Sequence, residues 1–364
     1  MTRDPRVLVA GPPGSAVGGV ATHTAELVDA MPRTRLFDQW WPLGRRSSSL
    51  LGRLGVHAFA LVRFAAELFL RRPDLVHLQV TDNGLVRDAA YLSTARLLRV
   101  PVLSHLHSSL PQHLGHPALA RIVRESQCLL VMSGRARDEI LSAFPEAEKR
   151  IIILPNPVQG FPGAPRPRPR VRRQVATVLC VGEISAHKGQ YELFQAIETL
   201  NTRGNSVRLR LVGPWGEIGT KERRALETSP IVDVLGVKRG ADLAAAYDSA
   251  DVFALNSRAE AEPLSMLEAM SRGLPVVATS VGSIPETLAG LDGNVLVERG
   301  APETLTSALA SLIADPDLRD QIGQINLAAV EPRSIRHYVR ELGAHYATLT
   351  TTRPQMRRLR RKNL

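Results

Sequence analysis

The chain has 364 residues, more than one small core needs and enough for two domains of ordinary size. Its 44% apolar and 22% charged residues are those of a globular protein, and at 4% aromatic it has few stacking platforms for single-stranded nucleic acid. The formal charge of +11, mostly arginine, favours anionic partners such as phosphorylated metabolites or an anionic membrane surface; without a groove-reading motif it argues against nucleic acid.

Arg6–Ala10 reads as a strand at the start of the chain, so no secretory signal is expected and the location should be cytoplasmic. Gly11 to Val20 then leads into a helix whose apolar face carries Val20, Thr24, Leu27, Val28 and Met31. Glycines in that loop allow a close backbone approach to a phosphate. The loop is neither G-x-G-x-x-G nor a P-loop, so nicotinamide and ATP are not indicated. Leu50 to Phe64 sets Arg53 and Arg63 among apolar residues. Such a helix either covers a sheet or rests on an anionic membrane surface. The apolar region Ala58 to Leu70 is broken by Arg63 and Glu67 and cannot span a bilayer.

Leu75–Gln79, Pro101–Leu106, Leu129–Met132 and Ile151–Leu154 are the remaining strands of the first half, alternating with helical patterns as parallel α/β sheets do. Alternation puts His105 and His107 on one face of their strand. They could serve a metal as a pair, but neither a carboxylate nor a third histidine is near in sequence. One histidine lining a cleft, with the other packed beside it, is the expectation. Cys128 and Cys180 sit in apolar strands and read as buried thiols, outside any disulfide or zinc framework.

A Pro- and Arg-rich segment follows, read as a stiff linker over residues 166–174 that carries Arg166, Arg168, Arg170, Arg172 and Arg173. It separates residues 1–165 from a second α/β domain, 175–332. In that domain the strands are Thr177–Val181, Arg208–Val212, Val252–Leu255, Pro275–Ala278 and Val295–Val297. Residues 333–364 read as a helix that returns to the first domain and then a disordered basic tail. The fold class is therefore α/β, with two Rossmann-like doubly wound domains facing a cleft.

Two segments could carry chemistry. Gly182-Glu183-Ile184-Ser185-Ala186-His187-Lys188-Gly189 is a loop between a strand and a helix start, where Lys188 would be a compact positive charge for a diphosphate. The denser constellation runs from Asn256 to Met270. Pro263 suits the first turn of a helix there, Glu260 sits in the turn ahead of it, and Glu268 lies about two turns further along. A helix N-terminus at the end of a strand attracts an anion. One carboxylate could accept bonds from sugar hydroxyls and a second could hold a ribose. Spacing alone is equally compatible with solvated acids near a helix start.

Taken together, these segments resemble a family 4 retaining glycosyltransferase of GT-B architecture, over nearly the whole chain from Val7 to about Leu349. Glu260, seven residues and Glu268 are similar to the family's E-x7-E motif. Val181-Gly182 with Lys188-Gly189 is similar to its phosphate loop, Gly18-Gly19-Val20 to its N-terminal glycine loop, and Leu154-Pro155-Asn156 to the turn before its linker. The resemblance implies a hexose moved from a nucleotide-diphosphate sugar to a glycan, glycolipid or lipid-linked acceptor of cell-envelope or exopolysaccharide synthesis. The work would be done in the cytoplasm, with peripheral contact at the inner face of the cell membrane.

By that resemblance Glu260 contacts the sugar and stabilises positive character at its anomeric carbon, Glu268 binds the ribose, and Lys188, Gly182, Gly18, Gly19 and the amides after Pro263, from Leu264, meet the diphosphate. His107 lies beside the sugar. The donor is a substrate, and the reaction needs neither cofactor nor metal. Two positions differ from the family pattern. Glu183 stands where arginine is usual, so Arg258 or Arg239 is expected to supply the missing charge. Ala261 and Glu262 replace a glycine and an aromatic, which adds an acid near the sugar. The rival readings are a catalytically weakened GT-B binding or partner protein and a GT-B nucleotide-sugar epimerase.

Overall fold

A computed structural model describes residues 4–16, 18–39, 50–107, 110–158 and 174–362. The chain forms two units, one of Met1–Pro157 with Ile335–Leu364 and one of Val158–Ser334. The division falls at Pro157 rather than at 165. Val158 and Ser334 form a β-bridge, and the Val158 amide donates to the Arg333 carbonyl at 2.8 Å, so both crossings are tied at the same place. The expected linker 166–174 lies, apart from Gln174, outside the described residues.

The first unit has a six-stranded parallel sheet in the order β2-β1-β3-β4-β5-β6, made of β1 (Val7–Gly11), β2 (Thr34–Asp38), β3 (Leu75–Val80), β4 (Val102–Leu106), β5 (Cys128–Val131) and β6 (Ile151–Ile153). Its helices are α1 (Gly19–Ala30), α2 (Leu50–Arg71), α3 (Leu85–Leu97), α4 (Pro117–Glu125) and α5 (Gly134–Ala143). β1, β3, β4 and β5 are buried along their whole length, because helices cover both faces of a parallel sheet.

The second unit repeats this plan in the order β12-β11-β10-β7-β8-β9, with β7 (Ala176–Val181), β8 (Val207–Val212), β9 (Val232–Val234), β10 (Val252–Leu255), β11 (Val276–Thr279) and β12 (Val295–Val297). Its helices are α6 (Gln190–Thr202), α7 (Thr220–Thr228), α8 (Gly240–Asp248), α9 (Leu264–Ser271), α10 (Ile284–Thr287), α11 (Pro302–Ala314) and α12 (Pro316–Val330).

The last helix, α13 (Ile335–Lys362), belongs to the first unit, where Tyr338, Leu342 and Tyr346 at four-residue spacing enter the core with Val7, Val9 and Leu103. It runs to Lys362, where the basic sequence was expected to be disordered. The edge strands β2 and β9 lie outside the expected set. Both are partly exposed and carry polar residues such as Arg35 and Asp233, which hides them among loops. No described helix is long and apolar enough to cross a membrane.

Each strand order reverses next to its first strand, between β1 and β3 in one unit and between β7 and β10 in the other. Loops leaving the carboxyl ends of those strands part there, opening the crevice in which ligands of such sheets bind.

Candidate active site

In the second unit, the reversal brings the β7 loop and the β10 loop together. Lys188 Nζ donates to Glu260 Oε1 at 2.6 Å, and Ser257 Oγ donates to the same oxygen at 2.6 Å. The loops are also joined through backbone, Arg258 N to His187 O at 2.9 Å, and through His187 Nε2 to Ala259 O at 3.0 Å. Two glycines make this possible. Gly189 caps α6 with φ 66°, and a Cβ on it would lie 2.2 Å from the Asn256 carbonyl oxygen. Gly282, with φ 56°, lets the turn after β11 close on the Glu260 loop, since a Cβ there would lie 1.9 Å from the Glu260 carbonyl oxygen. The Ser283 amide completes that contact by donating to the Ala261 carbonyl at 2.9 Å.

Pro263 sits at the N-cap of α9 with ψ 111°, outside the helix rather than in its first turn. Its carbonyl accepts from Met266 and Leu267, so the Leu264 and Ser265 amides precede the first intrahelical bonds. Glu268 is the fifth residue of α9, one turn in. It is buried, and Tyr247 OH donates to its Oε2 at 2.6 Å. Burial pushes the Glu268 carboxyl up to about 7, against the opposing pull of the Tyr247 bond. Gly182 begins the β7 loop, its amide bonded to the Val212 carbonyl at 2.9 Å. Exposed Glu183 lies across Gly216, where a Cβ would come within 2.4 Å of its carboxyl carbon.

One expectation about charge is corrected. Arg258 is exposed and pairs with Glu192 in the first turn of α6 at 3.2 Å, whereas the expectation for Glu262 fails. Glu262 adds no acid beside Glu260. Its side chain is 1% exposed and accepts from Arg333 Nη1 at 2.6 Å.

In the first unit, Gly18 caps α1 and is exposed, and Gly19 is the first residue of that helix. His105 and His107 follow the strand alternation, with ring centroids 4.0 Å apart. The third histidine that sequence spacing did not supply comes from α1. His23 lies 5.1 Å from His105 and 5.2 Å from His107, centroid to centroid. Behind them, Gln79 on β3 faces His107 Nε2 through Oε1 at 2.5 Å and His77 Nε2 through its amide nitrogen at 3.1 Å, and His77 Nδ1 meets Tyr346 OH at 2.6 Å. Burial lowers all four imidazoles, His23 to about 4 and His77 to about 3, so they are neutral near pH 7. Among these residues only the period-two spacing of His77 and Gln79 carried a sequence signal, shared with His105 and His107.

The family model described as Glycosyltransferase Family 4 matches residues 17–159, and that described as Glycosyl transferases group 1 matches residues 166–327. The chain belongs to the family 4 glycosyltransferases.

The chain is 29% identical over 222 residues to the D-inositol 3-phosphate glycosyltransferase of Corynebacterium kroppenstedtii, a match covering 56% of this chain and 49% of that protein. It thus spans about half the length of that relative. It is 25% identical over 335 residues to the GDP-mannose-dependent alpha-(1-6)-phosphatidylinositol monomannoside mannosyltransferase of Mycolicibacterium smegmatis, covering 82% of this chain and 86% of that one. Among solved structures, HepE of Anabaena in complex with UDP and glucose superposes with a TM-score of 0.72 at 18% identity, covering 94% of this chain and 99% of that chain. The fold is GT-B, two sheets of six parallel strands flanked by helices.

Proposed function

We propose that the chain moves a hexose from a nucleoside diphosphate sugar to a hydroxyl acceptor, with retention of configuration at the anomeric carbon. The observation that carries this reading is the pairing of Lys188 with Glu260 at the point where the second sheet reverses. A cation and a carboxylate held side by side match the two charges of such a reaction, a departing diphosphate and a positive anomeric carbon. The bond from C1 to the diphosphate breaks, and its electron pair leaves with the phosphate. The acceptor oxygen bonds to C1 on the same face, and its proton passes to the departing oxygen.

Lys188 and the Leu264 and Ser265 amides supply counter-charge to the phosphates, and Glu260 faces the sugar. Glu268 accepts from the ribose hydroxyls. From the first unit the reading takes Gly18 and Gly19 as phosphate contacts and His107 as a sugar contact. No metal is assigned to the step. The relatives' printed names, both describing sugar transfer, favour this reading over a binding protein or an epimerase.

For the acceptor, the reading favours a lipid-linked sugar or glycolipid of envelope or exopolysaccharide synthesis, met at the inner face of a membrane from the cytoplasm. The Mycolicibacterium relative is named for a phosphatidylinositol mannoside. On α2, Ala60, Phe64 and Leu68 are buried while Phe59, Val62, Phe69 and Leu70 are exposed, with Arg71 and Arg72 at its end. That second apolar stripe beside cations suits an anionic bilayer.

The test is release of nucleotide from UDP-, GDP- and ADP-linked hexoses by the purified chain and by Glu260→Gln. Turnover of one donor by the wild type, falling on the order of 100-fold in the variant, supports the reading. Equally slow release by both from every donor refutes it.

A further inference from the structure

A row of polar side chains runs inward from His107 at the end of β4. Gln79 Oε1 faces His107 Nε2 at 2.5 Å, the Gln79 amide nitrogen faces His77 Nε2 at 3.1 Å, and His77 Nδ1 meets Tyr346 OH at 2.6 Å. Three elements build it: β3 carries His77 and Gln79, β4 leads to His107, and α13 brings Tyr346. Gln79 is fully buried, and its place depends on Gly11 of β1, where a Cβ would lie 2.8 Å from Gln79 Cγ. Gln39 Nε2 donates to the backbone carbonyl of the same residue at 3.2 Å.

The row has a direction, because a carboxamide accepts at one end and donates at the other. With Oε1 toward His107, the proton of that ring sits on Nε2 and the lone pair on Nδ1. The Gln79 amide then donates to His77 Nε2, which puts the His77 proton on Nδ1, facing Tyr346 OH. Which nitrogen of an imidazole is left to react is commonly set in this way, by the bond that the other nitrogen makes. His107 is also the partly exposed member of the group, whereas His23, His77 and His105 are buried. The rings of His105 and His23 flank it, with centroids 4.0 and 5.2 Å away.

We propose that Gln79 is a positioning residue for the transfer, fixing His107 in the Nε2-protonated tautomer so that Nδ1 accepts a hydrogen bond from a hydroxyl of the donor sugar. The inference rests on the transferase reading for the identity of that hydroxyl; the tautomer itself does not depend on it. A lone pair suits the place, since an acceptor beside a carbon gaining positive character stabilises it, while an N–H or an imidazolium would oppose it. Burial acts in the same direction by holding the His107 ring neutral. The sugar must therefore present an O–H at this point, and a donor with that hydroxyl removed or methylated has nothing to give to Nδ1. Gln79 touches no substrate and acts only through His107.

The experiment is nitrogen NMR of the full chain labelled at its histidine ring nitrogens, with His107→Phe identifying the His107 resonances. The wild type should show His107 protonated at Nε2 and bare at Nδ1. Gln79→Met, close in shape but without the acceptor, should give a mixture of the two tautomers. A hexose-bearing nucleotide should shift the bare Nδ1 resonance, and the nucleoside diphosphate alone should not. In kinetics Gln79→Met should lower kcat/KM for the donor about fivefold, as the loss of one hydrogen bond does, with nucleoside diphosphate affinity unchanged. It should cost nothing further when His107 is already Phe, because the two act as one unit. The proposal is overturned if the wild type carries the His107 proton on Nδ1, a result that holds even should the variant fail to fold. It is overturned equally if folded Gln79→Met keeps the wild-type tautomer. The expected spectra without turnover of any donor would sink the transferase reading and leave the tautomer assignment standing.

Discussion

Lys188 Nζ and Glu260 Oε1 are 2.6 Å apart, although β8, β9 and β10 and the helices α6, α7 and α8 separate the two in sequence. The pair sits partly shielded, with 25% and 9% of the two side chains exposed. Glu260 also accepts from Ser257, so one carboxylate oxygen is shared between a cation and a hydroxyl.

This sharing predicts strong coupling. Lys188→Ala and Glu260→Gln should each lower kcat on the order of 100-fold, and the double variant should lose much less than the product of the two losses, because residues acting as a unit are not additive. Lys188→Ala should also raise KM for the donor, and Glu260→Gln should leave nucleoside diphosphate binding nearly unchanged. Steady-state kinetics with calorimetry of the free nucleotide separate these outcomes. Additive losses would place the two residues in separate roles.

Glu268 makes stability depend on pH. Its folded pKa, raised to about 7 by burial, exceeds the ordinary carboxyl value of 4.5. The folded state therefore holds this proton more tightly than the unfolded state. The resulting stability is complete below about pH 4.5 and is lost as pH rises through about 7. Glu268→Gln, which keeps an uncharged group beside Tyr247, should match the wild type near pH 4.5 and exceed it at pH 8 by up to about 3 kcal/mol. Urea unfolding at the two pH values checks this, and a constant difference between the proteins would contradict it. The same variant should bind nucleotide more weakly through loss of an acceptor for the ribose.

Arg333 neutralises Glu262, whose side chain is 1% exposed. Arg333→Ala leaves a buried carboxylate without its cation and should cost about 3 kcal/mol in denaturant unfolding. Adding Glu262→Leu to Arg333→Ala removes the stranded charge and should recover most of that loss. No recovery would mean that Arg333 acts through packing alone.

The exposed stripe of α2 predicts salt-sensitive membrane binding. The wild type should sediment with phosphatidylglycerol vesicles at low salt and release as ionic strength rises, since the Debye length shrinks from about 30 Å at 0.01 M to about 8 Å at 0.15 M. Val62→Ser with Phe69→Ser should abolish sedimentation while leaving donor hydrolysis intact. Binding that survives both changes would move the contact elsewhere.

The α/β class, the central strands and the family were legible in the chain itself. Strands such as β3 and β10 are buried on both faces and so read as unbroken apolar runs bounded by loops. Local spacing also placed Glu260 before a helix and Lys188 after a strand. What local spacing cannot convey is the direction and partner of a side chain set by distant residues. Glu262 looked like a second acid beside the sugar until Arg333, 71 residues away, was found to hold it. The pairing of Arg258 with Glu192 of α6 was equally invisible. The edge strands β2 and β9 were hidden by their exposed polar residues.

His23 on its helix carried no signal at all, because only the crossover from β1 through α1 sets it against His105 and His107. Sequence thus determined which elements form and which loops carry charge, since apolar periodicity and loop glycines act over a few residues. Tertiary structure alone decided which charges meet, because parallel sheets join strands through long crossovers and bring together loops that share no local pattern.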